Sequence, residues 1–406
     1  VPGFDSRVGS TMDTTKFKRS KTTDFFYKLC YTVYFFGLPN FWLEDLKLSK
    51  RFVRFYDKFS IFNNGLIYLL ILSELAAFFT QTNLSEKQKS NLLVFALSHP
   101  MLSMFAVMMA RLQDKVRLVM YNLIVELKAV YNDPEVEKQM LASTNLYLFA
   151  LLFKPLFVTH ILLPLSDLTF TTIVTAYPDV EDRSDLANVA RALCFIVWWI
   201  FLTRIVAVYM LVIPLTTCLS HQYKNLQSYF SNLSEIFERE DLSQTEKEEK
   251  FETGFKVGIK LHSETLRCTD QTQAVCRGVF SGQIIFNICL LVALMAQMAV
   301  CTPFYLVTKV QLSATIAMIR FHRGLPVLLF QASHLGTAIY FSGWYQCQGQ
   351  SSVRLRNLIV ITMSQAQVNA SRGIGILWMF TNSQTGLSKR RWIHAMRLSL
   401  FSHDLA

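Results

Sequence analysis

The chain has 406 residues, of which 52% are hydrophobic and only 17% charged, whereas soluble domains carry nearer a quarter charged residues. That balance excludes an ordinary soluble protein and points to an all-α polytopic membrane protein. The net charge of +11 would suit nucleic acid or anionic lipid, but the cations lie mostly between apolar stretches, which favours lipid and argues against nucleic acid.

Residues 1–58 are polar, basic and aromatic, without the continuous apolar core of a cleavable signal peptide. They read as a cytoplasmic N-terminal region, and the first span then acts as its own insertion signal. Gly9-Ser10-Thr11 ahead of Met12 suits an appended tag over residues 1–11. Crossing about 30 Å of hydrocarbon takes roughly 20 apolar residues in a helix. Windows of that kind occur at 59–80, 90–110, 144–166, 191–216, 277–301 and 312–342. A seventh region, 353–403, is interrupted by the polar, glycine-containing stretch 371–375 and reads as a split helix.

Charge sets the expected orientation. Eleven Lys/Arg precede the first span, and the loops after the second and fourth spans add Arg111, Lys115, Arg117, Lys128, Lys224, Lys247 and Lys256 among others. The alternate loops are poor in cations, and 167–190 is acidic through Asp167, Asp179, Glu181, Asp182 and Asp185. The positive-inside rule therefore puts the N-terminus in the cytoplasm and, with an odd number of spans, the C-terminus outside. The sequon at Asn83 then falls in the first outer loop and the one at Asn232 falls inside. The eight cysteines are scattered without metal spacing; only Cys194 and Cys301 approach the outer face, where buried thiols are favoured over a disulfide.

The residues needed for catalysis are missing in any recognisable spacing. There is no H-E-x-x-H, no G-x-S-x-G and no phosphate-binding G-x-x-x-x-G-K-[ST], and Gly373-Ile374-Gly375 lacks the rest of a dinucleotide motif. The reading is no enzyme, no cofactor and no metal. Ionisable residues inside the apolar windows say more, because each costs at least a few kcal/mol unless it faces protein, water or a headgroup. They are Glu74, His99, Lys154, His160, Arg204, Arg320, His322 and Arg323. Snorkelling or structural pairing is the simpler account of the cations; for His99 and His160, a core position and a ligand-facing position stay equally open. Phe95 and His99, Phe157 and His160, Phe195, Trp198 and Trp199, and Ile319 and His322 fall at one depth on the second, third, fourth and sixth spans. Together they suit an apolar pocket for a small organic ligand. Between spans four and five, 219–275 reads as helical, with Phe251, Phe255, Ile259 and Leu266 on one face.

Two further stretches carry a family resemblance. HLGTAIYFSGWYQ, with Ala338, Tyr340 and Trp344, and RLRNLIVITMSQAQ, with Met363, Ala366 and Gln367, resemble the C-terminal signature of insect odorant receptors. Gln365 stands where that signature has arginine, and His262 lies in the kind of position the family uses before its fifth helix. The resemblance implies seven helices with a split seventh and an odorant-gated nonselective cation channel built as a tetramer with a co-receptor. Trp344-Tyr345-Gln346-Cys347 and a short inner loop mark this chain as similar to the odorant-specific subunit rather than the co-receptor.

The resemblance further implies a ligand-binding bundle at 59–218, a cytoplasmic helical anchor at 219–275, helices five and six at 276–342, and an inner piece of helix seven with a pore helix at 343–406. Tyr340, Trp344, Met363 and Gln367 would serve subunit assembly, and Ile393, Met396, Leu398, Leu400, Phe401 and Ser402 would line the pore. Its ligands would be small neutral volatiles such as esters, alcohols or terpenoids, held in the outer half of the bundle. The location implied is the plasma membrane of olfactory sensory neuron dendrites. Lys389, Arg390, Arg391, His394 and Arg397 are more charge than the family's last helix carries, and are expected to face neighbouring subunits or wet openings. A gustatory receptor of the same superfamily is the nearest alternative. A G-protein-coupled receptor is disfavoured by the orientation.

Overall fold

The computed structural model describes residues 20–157, 173–300, 324–348 and 351–374. Among these residues the chain is helical, with no strand. Its helices are α1 (Lys21–Phe35), α2 (Lys50–Thr80), α3 (Glu86–Arg111), α4 (Gln113–Tyr121), α5 (Leu127–Val130), α6 (Pro134–Phe157), α7 (Asp185–Asn232), α8 (Glu235–Glu238), α9 (Gln244–Val300), α10 (Gly324–Tyr340) and α11 (Ser351–Ile374). A π-helical turn, Asn122–Glu126, joins α4 to α5.

Serines set where several of these helices begin. Ser20, Ser49, Ser85 and Ser184 each stand at an N-cap, with the side-chain oxygen accepting from a backbone N–H of the first turn. Each satisfies a donor that the helix cannot. Ser20 with Thr23 and Ser85 with Gln88 form reciprocal capping boxes. The cap at Ser49 explains why α2 starts at Lys50 although its apolar window starts at 59: hydropathy registers the span, and the cap registers the helix.

α7 is the axis of the molecule, packing against α1, α2, α3, α6, α9 and α10. Its 48 residues make a rod of about 70 Å at 1.5 Å per residue, more than twice the thickness of a bilayer core. From Ala207 to Ser220 every residue is buried, the all-round apolar pattern of a helix enclosed by others. α9, with 57 residues, runs antiparallel to it. Tyr209 bonds to Gln283, Tyr223 to Thr269 at 2.9 Å, and Phe230 stacks edge-on with Phe255 at 5.5 Å.

Two glycines have positive φ for visible reasons. Gly37 (φ 88) ends α1, and a Cβ there would sit 2.5 Å from Nε of Arg204. Gly343 (φ 92) turns the chain after α10 into the 3-10 turn Trp344–Gln346, and a Cβ there would lie 3.0 Å from the Ser234 backbone. Beyond that turn α11 folds back onto α10.

Several features depart from the sequence reading. α1 lies within the polar, basic and aromatic N-terminal region, for which no helix was expected, yet it buries Phe26, Leu29, Cys30 and Val33 in the main core; its amphipathic face is too short to register as a span. The stretch after the second span is mostly helix, from Gln113 through Val130. α11 runs to Ile374, into the stretch 371–375 where an interruption was expected; residues from 375 onward, and with them the split of the seventh helix, lie outside the described residues. Among the described residues three helical stretches are long and apolar enough to cross a membrane: Lys50–Thr80, Asn91–Arg111 and the one beginning at Asp185.

The two ends of the bundle differ. At the end holding Thr80, Glu86 and Asp185, residues 173–184 fold over the helices as a cap. Ala176 N–H donates to the Ser73 backbone at 2.9 Å and to its hydroxyl at 3.0 Å, and Gln81 Nε2 donates to the Thr175 carbonyl at 3.0 Å. At the opposite, broad end a polar network knits α1, α6 and α7. Lys128 Nζ lies 2.6 Å from the Thr22 hydroxyl and 3.4 Å from Glu137, and Asn225 accepts from Asp133 N–H and donates to the Tyr131 carbonyl, each at 2.8 Å.

Candidate functional site

Under the cap, α2, α3 and α7 bring three polar side chains into line. Glu74 on α2 holds both carboxylate oxygens against Nδ1 of His99 on α3, at 2.7 and 2.9 Å. Trp198 on α7 donates its indole N–H to His99 Nε2 at 3.2 Å. An indole nitrogen only donates, so Nε2 must be the acceptor and the ring proton sits on Nδ1, aimed at Glu74. The hydrogen-bond network thus assigns the tautomer. All three side chains are buried, with Glu74 fully enclosed. A buried carboxylate without a partner would cost several kcal/mol; the imidazole N–H supplies one.

Aromatic rings surround this relay. Phe95 stacks on His99 with centroids 5.1 Å apart and planes 11° from parallel, and Phe201 meets the same imidazole edge-on at 5.1 Å. Phe195 stacks on Trp198 at 5.7 Å, and Trp199 meets Trp198 edge-on at 5.7 Å. Helical spacing makes this possible: Phe95 and His99 are i, i+4 on α3, and Phe195, Trp198 and Trp199 share one face of α7. Ile173 from the cap and Leu70 from α2 close the cluster with Trp198.

Of the pocket residues expected from sequence, Phe95, His99, Phe195, Trp198 and Trp199 therefore come together. Phe157 ends the described part of α6, with its side chain outside the description, and His160, Ile319 and His322 lie wholly outside it. The same holds for Ile393, Met396, Leu398, Leu400, Phe401 and Ser402, for Arg320 and Arg323, for the Lys154 side chain, and for Cys301, the suggested neighbour of Cys194. Among the expected assembly residues, Tyr340 is half exposed, and its carbonyl accepts the Trp344 indole N–H at 3.0 Å. Met363 packs on the main core, while Gln367 is on α11 with its side chain outside the description. Arg204 is a buried clamp: Nη2 donates to the Ser60 carbonyl at 3.1 Å and to its hydroxyl at 3.2 Å.

Sequence reasoning placed Glu74 among the intramembrane ionisable groups but not in the pocket, and it missed Phe201 and the cap. Two ionisable residues on adjacent apolar helices were the signal for Glu74. For Ile173, Ser73 and Gln81 no local signal existed. The broad end holds a small cavity of about 10 Å³ lined by Lys128, Asn132, Glu137, His221 and Asn225 among others, roughly one water molecule's worth of space.

Comparison with family models and with curated proteins finds no match. Solved structures do match. The insect olfactory receptor OR5 from Machilis hrabei in complex with eugenol superposes with a TM-score of 0.59 at 15% identity, covering 86% of this chain and 90% of that one. A second structure of the same receptor gives a TM-score of 0.58 at 14% identity, covering 86% of this chain and 89% of that one. At such low identity over nearly the full length of both chains, what is shared is the fold: this chain has the fold of an insect olfactory receptor.

Proposed function

We propose that this chain is the odorant-binding subunit of a heteromeric, odorant-gated, nonselective cation channel, and that the cluster around His99 is part of its ligand site. The observation that carries the proposal is the full-length fold match combined with an aromatic cluster enclosing one polar relay. In this reading the N-terminus and the broad end are cytoplasmic, the capped end is extracellular, and seven helices cross the plasma membrane of a sensory neuron. The partner is a co-receptor subunit in a tetramer. Lipid surrounds the assembly.

The chemistry of the site narrows the ligand. Both ring nitrogens of His99 are occupied, so this imidazole has no free donor for a ligand oxygen unless the Trp198 bond opens. The aromatic faces offer dispersion and apolar burial, worth about 25 cal/mol per Å², which is enough for micromolar binding of a small molecule. Small neutral volatiles fit, including esters, alcohols, terpenoids and aromatic phenol ethers of the kind represented by eugenol in the matched receptor structure. A carbonyl or hydroxyl oxygen that takes the Trp198 N–H from His99 would part α3 from α7. Only a ligand that binds the open arrangement more tightly than the closed one shifts gating.

The test is whole-cell current in cells expressing the chain with and without a co-receptor, under a panel of volatiles. Odorant-evoked cation current that requires the co-receptor and persists when G-protein signalling is blocked is the expected result. Current that depends on heterotrimeric G proteins, or no current with any partner, overturns the proposal.

A further inference from the structure

The first two turns and a half of α2 carry a feature that neither the odorant site nor the fold explains. Lys50, Arg51, Arg54 and Lys58 are all exposed, against a single acid, Asp57. Asp57 is already engaged, accepting from the Tyr34 hydroxyl at 3.1 Å. None of the four cations makes an ion pair among the described residues, and Arg54 bonds only the Lys50 carbonyl of its own helix. Three other exposed lysines are matched: Lys89 with Glu86, Lys138 with Glu135, and Lys256 with Glu252; what sets the start of α2 apart is four exposed cations within nine residues of one helix.

Interleaved with these cations are exposed aromatics. Phe55 is 67% exposed and Phe59 44%, and the two rings stack at 6.3 Å and 9°. Residues 51, 54, 55, 58, 59 and 62 follow the i, i+3, i+4, i+7 pattern, so they share one face of the helix. That face leads directly into the apolar window at 59–80. A row of unpaired cations with intruding aromatic rings, at the depth where a span meets the headgroups, has the chemistry of an anionic membrane interface.

We propose that this face of α2 is a binding site for an anionic phospholipid headgroup of the inner leaflet. Arg51, Arg54 and Lys58 hold the phosphate oxygens, and the Phe55–Phe59 pair seats beside the acyl chains. The guanidinium groups give the planar, forked donors that suit phosphate. α2 also carries Glu74, so the same helix joins the lipid site to the His99 relay. The proposal rests on the reading that the broad end is cytoplasmic; that reading fails separately, if an epitope placed before α1 is accessible on intact cells.

The experiment uses the full chain purified in detergent, with dioctanoyl phosphatidylinositol bisphosphate as probe and dioctanoyl phosphatidylcholine as control, and bound lipid counted by native mass spectrometry. The variant R51Q/R54Q/K58Q is expected to weaken retention of the anionic lipid by about a hundredfold, with melting temperature unchanged, while R51K/R54K keeps most of it. Removing paired cations instead, in K138Q/K256Q, is expected to change nothing. Equal retention by the triple variant, equal binding of the phosphatidylcholine, or loss of binding in K138Q/K256Q overturns the site. Should the triple variant fail to fold, the unmodified chain decides. Retention that does not fall between about 0.1 M and about 1 M salt also overturns it.

Discussion

The two ends of the bundle solve the problem of buried polarity in opposite ways. Under the cap, three side chains form one line, Glu74 to His99 to Trp198, and the cluster packed around Trp198 is made of rings, aliphatic side chains and the Cys194 thiol. At the broad end, polar groups share partners. Thr22 serves both Lys128 and Glu137, Asn225 serves Asp133 and Tyr131, and Ser228 donates to Asp133. A line has no spare partners, so one deletion strands a buried group; a network with shared partners redistributes the loss. The capped end is therefore sensitive to single deletions, and the broad end tolerates them.

The sharpest way to break this contrast is Trp198→Ala. It removes a large buried ring and the donor to His99 together, and is expected to cost about 3–5 kcal/mol, read as a fall in melting temperature of the purified chain and loss of odorant-evoked current. Next is Glu74→Ala, which leaves the His99 N–H unpaired in an apolar shell at about 1–3 kcal/mol; Glu74→Gln keeps an acceptor and is expected to restore most of the stability. A Gln variant as unstable as the Ala variant would mean that the carboxylate's charge, rather than its hydrogen bond, holds the helices together.

Asn225→Ala, at the broad end, is expected to cost only about 1 kcal/mol, because the Tyr131 hydroxyl and the Asp133 carboxylate keep their own contacts with Ser228 and hold the segment in place. A loss as large as that of Trp198→Ala would erase the distinction between the two ends.

The smallest expected effect concerns pH. His262 on α9 is buried, its Nε2 lacks a hydrogen-bond partner, and burial holds its pKa down to about 4. An unfolded histidine titrates near 6.5, so below that value the unfolded chain binds a proton that the folded one refuses. Stability is then full above about pH 6.5 and declines as pH falls toward 4. Melting temperature should fall over that window in the unmodified chain and stay flatter in His262→Leu. At Asp133 the sign is opposite in origin: the Ser228 hydroxyl first, and two backbone N–H groups, hold its carboxyl below the usual range. Its contribution is present above the ordinary carboxylate pKa and fades only as pH falls through the lowered value.

Much of the fold was legible because helices that cross a membrane must be apolar over about 20 residues. The windows at 59–80, 90–110 and 191–216 all lie inside single helices. What hydropathy cannot register is a helix that is only half apolar. α1 was invisible for that reason, and so was the true start of α2, which a serine cap sets rather than a change in polarity. In the site, the aromatic residues of α3 and α7 could be grouped from depth along their spans alone. The choice of Glu74 over the other ionisable groups could not, because depth says nothing about which way a side chain points.

By itself the sequence determined the class of the molecule: all-helical, membrane-embedded, basic between its spans, and aromatic at one depth. Those properties follow from composition and period, which act residue by residue. Tertiary structure alone decided that Trp198 fixes the proton of His99, that Glu74 receives it, and that residues 173–184 close over them. Each of these depends on three helices meeting at one angle and register, and that information resides in their packing, not in any one segment.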